Sequence, residues 1–379
     1  MILKEGYSYN DLTIVPAAMS SISSRSECNP YIDKTGKLPL FTAPMSSVVN
    51  EKNYKLWKKY GITPILPRNF SIDIRIKYLL AGEWVALSLK EFEDYFVEDK
   101  ILNEYDNSDK KSFNVCIDLA NGHMQKLYDD IGKAKYKKNC YELTIMTGNI
   151  ANPKTYSRMS AYNSCSKPDY IRLSIGSGNG CLTTSNTGVH YPIATLIDEC
   201  NTIRRSVPQY YPKIVADGGI RNFSDIIKAL ALGADYVMVG SLFASFIESA
   251  AKMQYENTYG YIDPFDFEES ILYSASDFAE EEKRHCIKEY KIKKMFYGMS
   301  TKKAQCEIGG NDKLKTKLKT SEGCEKLLDC NYTIRQWVDN FISYLKSAMS
   351  YTDSRTLDDF RRNVDLIINS SSEINSVNK

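Results

Sequence analysis

Residues 170–192 read YIRLSIGSGNGCLTTSNTGVHYP. An apolar run, YIRLSI, suited to a strand buried on both faces, gives way to a stretch so rich in Gly, Ser, Asn and Thr that neither helix nor strand would hold it. Cys181 therefore falls just past the C-terminal end of a strand, which on a barrel of parallel strands is where functional groups collect.

Working outward, seven further runs of this kind flank the first: 38–44 (LPLFTAP), 62–66 (ITPIL), 84–89 (WVALSL), 113–119 (FNVCIDL), 143–150 (LTIMTGNI), 213–220 (KIVADGGI) and 234–242 (ADYVMVGSL). Each ends at small or polar residues and is followed by a helical pattern. Near-continuous apolar strands joined by helical crossovers imply a parallel sheet covered on both faces, and eight of them count out an α/β TIM (β/α)8 barrel. A doubly wound open sheet is the competing arrangement, but the strand count and the lack of GxGxxG after the first strand speak against it.

Composition narrows the class. The chain has 379 residues, a formal net charge of +2 and 43% hydrophobic residues, which gives no electrostatic case for nucleic acid or an anionic membrane. No stretch has 18 uninterrupted apolar residues, and the start, MILKEGYSYNDL, lacks a basic segment leading into an apolar one. The expectation is a soluble, cytoplasmic protein with reduced thiols. It is read as one catalytic domain, 1–379, with a flap at about 300–323 and a helical tail at about 324–379.

Of the 10 cysteines, Cys181 alone has glycines that let a substrate approach the backbone and threonine hydroxyls, Thr183 and Thr184, close by in sequence. Cys116 and Cys200 lie in apolar or helical patterns and read as packing. No CxxC spacing points to zinc. The barrel reading also predicts that polar groups gather at strand ends. Asp118 ends the fourth run, Asn149 the fifth, Asp217 with Gly218 and Gly219 the seventh, and Gly240 with Ser241 the eighth. Loops after the seventh and eighth strands are the usual phosphate site of this fold. Asp217 is placed to accept hydrogen bonds from both hydroxyls of a ribose, in preference to pairing with Arg221 nearby in sequence.

Taken together, SSISSRSE (20–27), FTAPMSSV (41–48), IDLANGH (117–123), MTGNI (146–150), the cysteine loop, the segment 214–242 and FYGMSTKKA (296–304) resemble the IMP dehydrogenase and GMP reductase family of purine nucleotide oxidoreductases. The resemblance spans roughly residues 7–350. It implies that Cys181 attacks C2 of the purine while a nicotinamide cofactor exchanges hydride at that carbon. It assigns the nucleotide to Met45, Asp217, Gly218, Gly219, Gly240, Ser241, Tyr297, Gly298, Met299, Ser300, Lys319 and Ser321. Asp118, Asn149 and Gly176 match positions near the nicotinamide, and Arg68, in PRNFS, is the candidate contact for cofactor phosphate. Some members hold a monovalent cation such as K+ on carbonyls that correspond here to Gly176, Gly178 and Cys181.

Within the family, the dehydrogenase branch hydrolyses its intermediate with an Arg-Tyr pair on the flap. No arginine or tyrosine occurs between Met299 and Glu322, so the segment resembles the reductase branch. The implied reaction is GMP plus NADPH giving IMP, ammonia and NADP, with Glu322 protonating the departing amine and Thr183 relaying the proton. Lys319 stands where reductases carry an arginine, and Thr184 where the family has one. The alternatives are IMP dehydrogenation to XMP with NAD, a variant acting on a modified purine or binding nucleotide without catalysis, and an FMN-dependent barrel. The resemblance further implies a homotetramer in which Lys346 and Ser347 reach a neighbour's cofactor site.

Overall fold

The computed structural model describes residues 4–104, 111–136, 141–161, 167–178, 180–257, 260–262, 267–298, 301 and 323–370. Seven parallel strands form the central sheet: β2 (Leu40–Thr42), β3 (Trp84–Leu87), β4 (Lys111–Asp118), β5 (Tyr141–Ile150), β6 (Tyr170–Leu173), β7 (Lys213–Asp217) and β8 (Tyr236–Val239), in the order β2-β8-β7-β6-β5-β4-β3. Residues 62–66 close the ring. Thr63 N–H donates to the Leu40 carbonyl at 3.0 Å on one side, and Leu66 N–H donates to the Trp84 carbonyl at 2.9 Å on the other. The eight expected runs thus form a closed TIM-type barrel in sequence order, the second held by isolated bridges to Phe41 and Val85.

The interior of the ring is packed by Phe41, Trp84, Cys116, Met146, Val215, Tyr236 and Met238. Because both faces of each strand are buried, inside the ring and under the helices, the sequence shows no period-two alternation. Helices follow the strands as their patterns require. Phe223–Ala231, for example, starts at Asn222, whose side chain accepts from the Asp225 N–H while Asp225 accepts in return, and its Ile226, Ala229 and Leu230 are fully buried.

Two features lie outside the barrel. Strand β1 (Leu12–Ile14) pairs antiparallel with β13 (Leu366–Ile368), so the tail expected to be helical ends its described part as a strand. Its helix Ile334–Tyr351 buries Trp337, Phe341, Leu345 and Met349 at four-residue spacing, with Trp337 stacked on Phe223 at 5.1 Å. The second feature is a four-stranded antiparallel sheet, β10-β9-β11-β12, made of β9 (Met253–Asn257), β10 (Gly260–Ile262), β11 (Ile292–Tyr297) and β12 (Glu325–Asp329). It was not foreseen from the sequence. Strands β11 and β12 enter and leave the expected flap, which apart from Thr301 and Gly323 falls outside the described residues.

Candidate active site

At the C-terminal mouth of the barrel a cavity of about 300 Å³ is lined by Cys181 together with Met45, Asp118, Asn149, Asp217 and Gly240. These residues come from the ends of different strands, which is what a barrel does with a sequence that places its polar groups there.

The cysteine loop is built around close contacts. Cys181 N–H donates to the Gly178 carbonyl at 3.0 Å, and its Sγ lies 3.2 Å from Thr183 Oγ1. The Thr184 hydroxyl donates to the Gly176 carbonyl at 3.2 Å, and His190 Nδ1 donates to the Ile175 carbonyl at 2.9 Å. Gly176 has φ +77°, and a Cβ there would lie 1.8 Å from Thr184 Oγ1, so only glycine fits. Thr184 and His190 thus act as braces of the loop. Burial pushes the thiols of Cys116 and Cys330 up to about 12, which leaves them unsuited to nucleophilic work.

A charged network lies on the cavity wall. Arg172, 7% exposed, reaches from β6 to two carboxylates: its Nη1 donates to Asp118 Oδ1 at 2.7 Å and its Nε to Asp217 Oδ2 at 2.9 Å. Asn149 Nδ2 donates to the same Asp217 oxygen at 2.8 Å. Burial disfavours the guanidinium charge, but Asp217 and its neighbours outweigh that and hold it firmly protonated. Asp217 therefore does pair with an arginine, supplied by the adjacent strand; the Arg221 N–H instead donates to Asp225 at 2.8 Å. Asp217 Oδ1 accepts none of these bonds, and Asp217 lines the cavity.

The expected phosphate loops lie at the same mouth. Gly218 and Gly219 have φ of +116° and +75°, and Gly240 precedes the short helix Ser241–Ala244. The Ser46 hydroxyl donates to Tyr297 Oη at 3.2 Å, joining the loop after β2 to the end of β11. Arg68 lines the cavity on the Asp118 side, where its Nη1 donates to the Asp118 carbonyl at 3.3 Å and its buried Nε has no partner.

One contact bears on the flap. Gly323 pairs antiparallel with Cys181, the Cys324 N–H donates to the Gly180 carbonyl at 3.1 Å, and the Gly298 N–H donates to the Cys324 carbonyl at 3.3 Å. The chain leaving the flap thus runs beside the cysteine loop. Glu322, the residue before Gly323, lies outside the described residues, as do Met299, Ser300, Lys319 and Ser321. Among the described residues no cluster of His, Cys, Asp and Glu forms a metal site, and no helix is long and apolar enough to cross a membrane.

Sequence reading missed Arg172, which it placed in an apolar strand. A lone arginine inside such a run was the available signal, since a buried guanidinium requires carboxylate partners.

Residues 106–262 match the family described as IMP dehydrogenase / GMP reductase domain. The chain is similar to the GMP reductase of Helicobacter pylori, 28% identical over 288 residues, covering 74% of this chain and 81% of the relative. It is similar also to that of Bacillus subtilis, 27% identical over 291 residues, covering 74% and 81%, and to that of Oceanobacillus iheyensis, 28% identical over 256 residues, covering 64% and 72%.

Proposed function

We propose that this chain, a member of the IMP dehydrogenase / GMP reductase family by the domain at residues 106–262, is a GMP reductase that converts GMP to IMP and ammonia with NADPH. The observation that supports the reading is the backbone pairing of Gly323, the residue after Glu322 in sequence, with Cys181.

The purine would sit over Cys181, with Asp217 Oδ1 accepting from ribose hydroxyls and the loops at Gly218, Gly219, Gly240 and Ser241 holding the phosphate. Met45, Tyr297 and Gly298, with Met299, Ser300, Lys319 and Ser321 of the flap, complete this nucleotide site. Cys181 as thiolate adds to C2 of the purine. The C2–N bond then breaks, and nitrogen leaves as ammonia once Glu322, relayed through Thr183, supplies a proton. An amine is a poor leaving group without that proton. When bound, the nicotinamide cofactor supplies the hydride that reduces C2, and the C2–S bond breaks to return the Cys181 thiolate.

The residues present fit an anionic cofactor. Arg68 offers a cation and an unpartnered buried Nε at the cavity edge, in the same lining as Asp118 and Asn149, whereas Gly176, the third residue matched to the nicotinamide side, lies outside that lining. Asp118 and Asn149 already engage Arg172 and Asp217, so their part is to fix the wall the nicotinamide would lie against. The carbonyls of Gly176 and Gly178 each accept one hydrogen bond and keep a second lone pair, so with Cys181 they could hold K+. The chain works on this reading as a single cytoplasmic catalytic domain in a homotetramer, with no nucleic-acid or membrane partner.

The test is NADPH absorbance. Loss with GMP, with ammonia and IMP formed in equal amounts, supports the reductase; a gain of NADH absorbance with IMP plus NAD, and no reaction with GMP, would assign the dehydrogenase reaction instead.

A further inference from the structure

The opposite, N-terminal face of the barrel holds a second and larger cavity, of about 630 Å³. Strand β6 separates the two, since Tyr170 opens the strand at the lower cavity and Cys181 follows its other end. Between them the ring is plugged by Phe41, which packs on Trp84 at 5.5 Å and on Tyr236 at 5.1 Å. An occupant of the lower cavity is therefore not a substrate on its way to the cysteine.

The lower cavity combines aromatic walls with uncompensated polar groups. Trp84 and Tyr170 meet edge to face, with ring centres 5.6 Å apart. Thr63, 8% exposed, lines the cavity with a hydroxyl that has no hydrogen-bond partner. Lys37, Lys58 and Lys59 line the same cavity, against two carboxylates, Glu83 and Asp339. Lys58 is matched by Glu83 at 2.5 Å, but among the described residues the Lys37 ammonium makes no hydrogen bond or ion pair, although the Lys37 backbone N–H donates to Asp33 Oδ1 at 3.4 Å. Burial holds the Lys37 ammonium below its usual range, only partly offset by Asp33, with Lys58 and Lys213 adding repulsion. Lys213 approaches from the far side of Tyr170, 5.6 Å from its ring centre. A half-buried cation whose nearest carboxylate, Asp33, only partly offsets its burial costs free energy, and an anionic ligand would supply the remaining charge.

We propose that this cavity binds a phosphorylated nucleoside, with phosphate at Lys37 and the base against Trp84 and Tyr170. An ammonium is a point-charge phosphate binder, and aromatic walls favour a flat heterocycle over a bare anion. The volume lies within the range of small-molecule sites. The inference does not rest on the reaction assigned to Cys181, and its test involves no turnover.

Trp84 is the reporter, because Trp57 and Trp337 are 0% and 1% exposed in the helical shell. Tryptophan emission is followed while GTP, guanosine or pyrophosphate is added to the full chain. The expected result is saturable quenching by GTP that is lost in Trp84→Phe, weakened about tenfold or more in Lys37→Glu and kept in Lys37→Arg, with guanosine binding more weakly than GTP. Should Lys37→Glu fail to fold, Lys59→Glu, on the exposed rim, takes its place with weakening expected. No saturable quenching of the wild type, full affinity in a correctly folded Lys37→Glu, or guanosine matching GTP would each overturn the proposal.

Discussion

Arg172 and Asp217, on neighbouring strands of the barrel, meet with the guanidinium Nε 2.9 Å from the carboxylate Oδ2, at the wall of the cavity that holds Cys181. The same guanidinium holds Asp118 at 2.7 Å, so one buried cation sets two carboxylates at the active-site mouth.

Replacing Arg172 by Leu leaves both carboxylates facing each other without a counter-charge. A loss of about 3 to 5 kcal/mol is expected, as for other buried pairs broken from one side. Arg172→Lys should keep more of the stability while raising the KM for the nucleotide, because a single ammonium cannot hold both carboxylates as the planar fork does. Denaturant unfolding and steady-state kinetics on the two variants check this.

Close backbone approach is the second testable feature. A Cβ on Gly298 would lie 2.5 Å from the Gly180 carbonyl oxygen, and one on Gly180 would lie 2.7 Å from the Phe296 ring. Gly298→Ala should push the flap's entry strand away from the cysteine loop. The expected outcome is at least a tenfold fall in kcat/KM, on the order of 1.4 kcal/mol, with the barrel still folded by circular dichroism.

The sheet outside the barrel carries a pH signature. Lys294 is fully buried, donates to the Ile247 and Ser249 carbonyls at 3.0 and 3.1 Å, and is lowered by burial to about 8 from 10.5. Between those values the unfolded chain keeps a proton that the folded chain has released, so stability contributed at this site rises with pH across that window. Relative to Lys294→Met, the wild type should gain roughly 3 kcal/mol between pH 8 and 10.5, by the value of each pKa unit. Thermal melts of both proteins over that range measure it; a constant difference would place the Lys294 pKa near that of a free lysine.

The barrel was legible because each of its strands is an apolar run ended by small or polar residues, and burial on both faces leaves that mark in the sequence. The strand-end residues Asp118, Asn149, Cys181 and Asp217 were legible for the same reason, and they line one cavity. Three things were not. Arg172 sits inside an apolar strand, and its partners come from other strands far away in sequence. The second sheet depends on β11 pairing with both β9 and β12, long-range contacts that local pattern does not encode. The tail's last described strand, β13, is partnered by β1 from the other end of the chain, so its sheet character comes from that pairing rather than from its own three residues.

The direct test of the central claim, that Cys181 bonds covalently to the purine, is NADPH oxidation by Cys181→Ser in the presence of GMP. The account predicts a folded protein that binds GMP and oxidises no NADPH above background, whereas turnover matching the parent would contradict it.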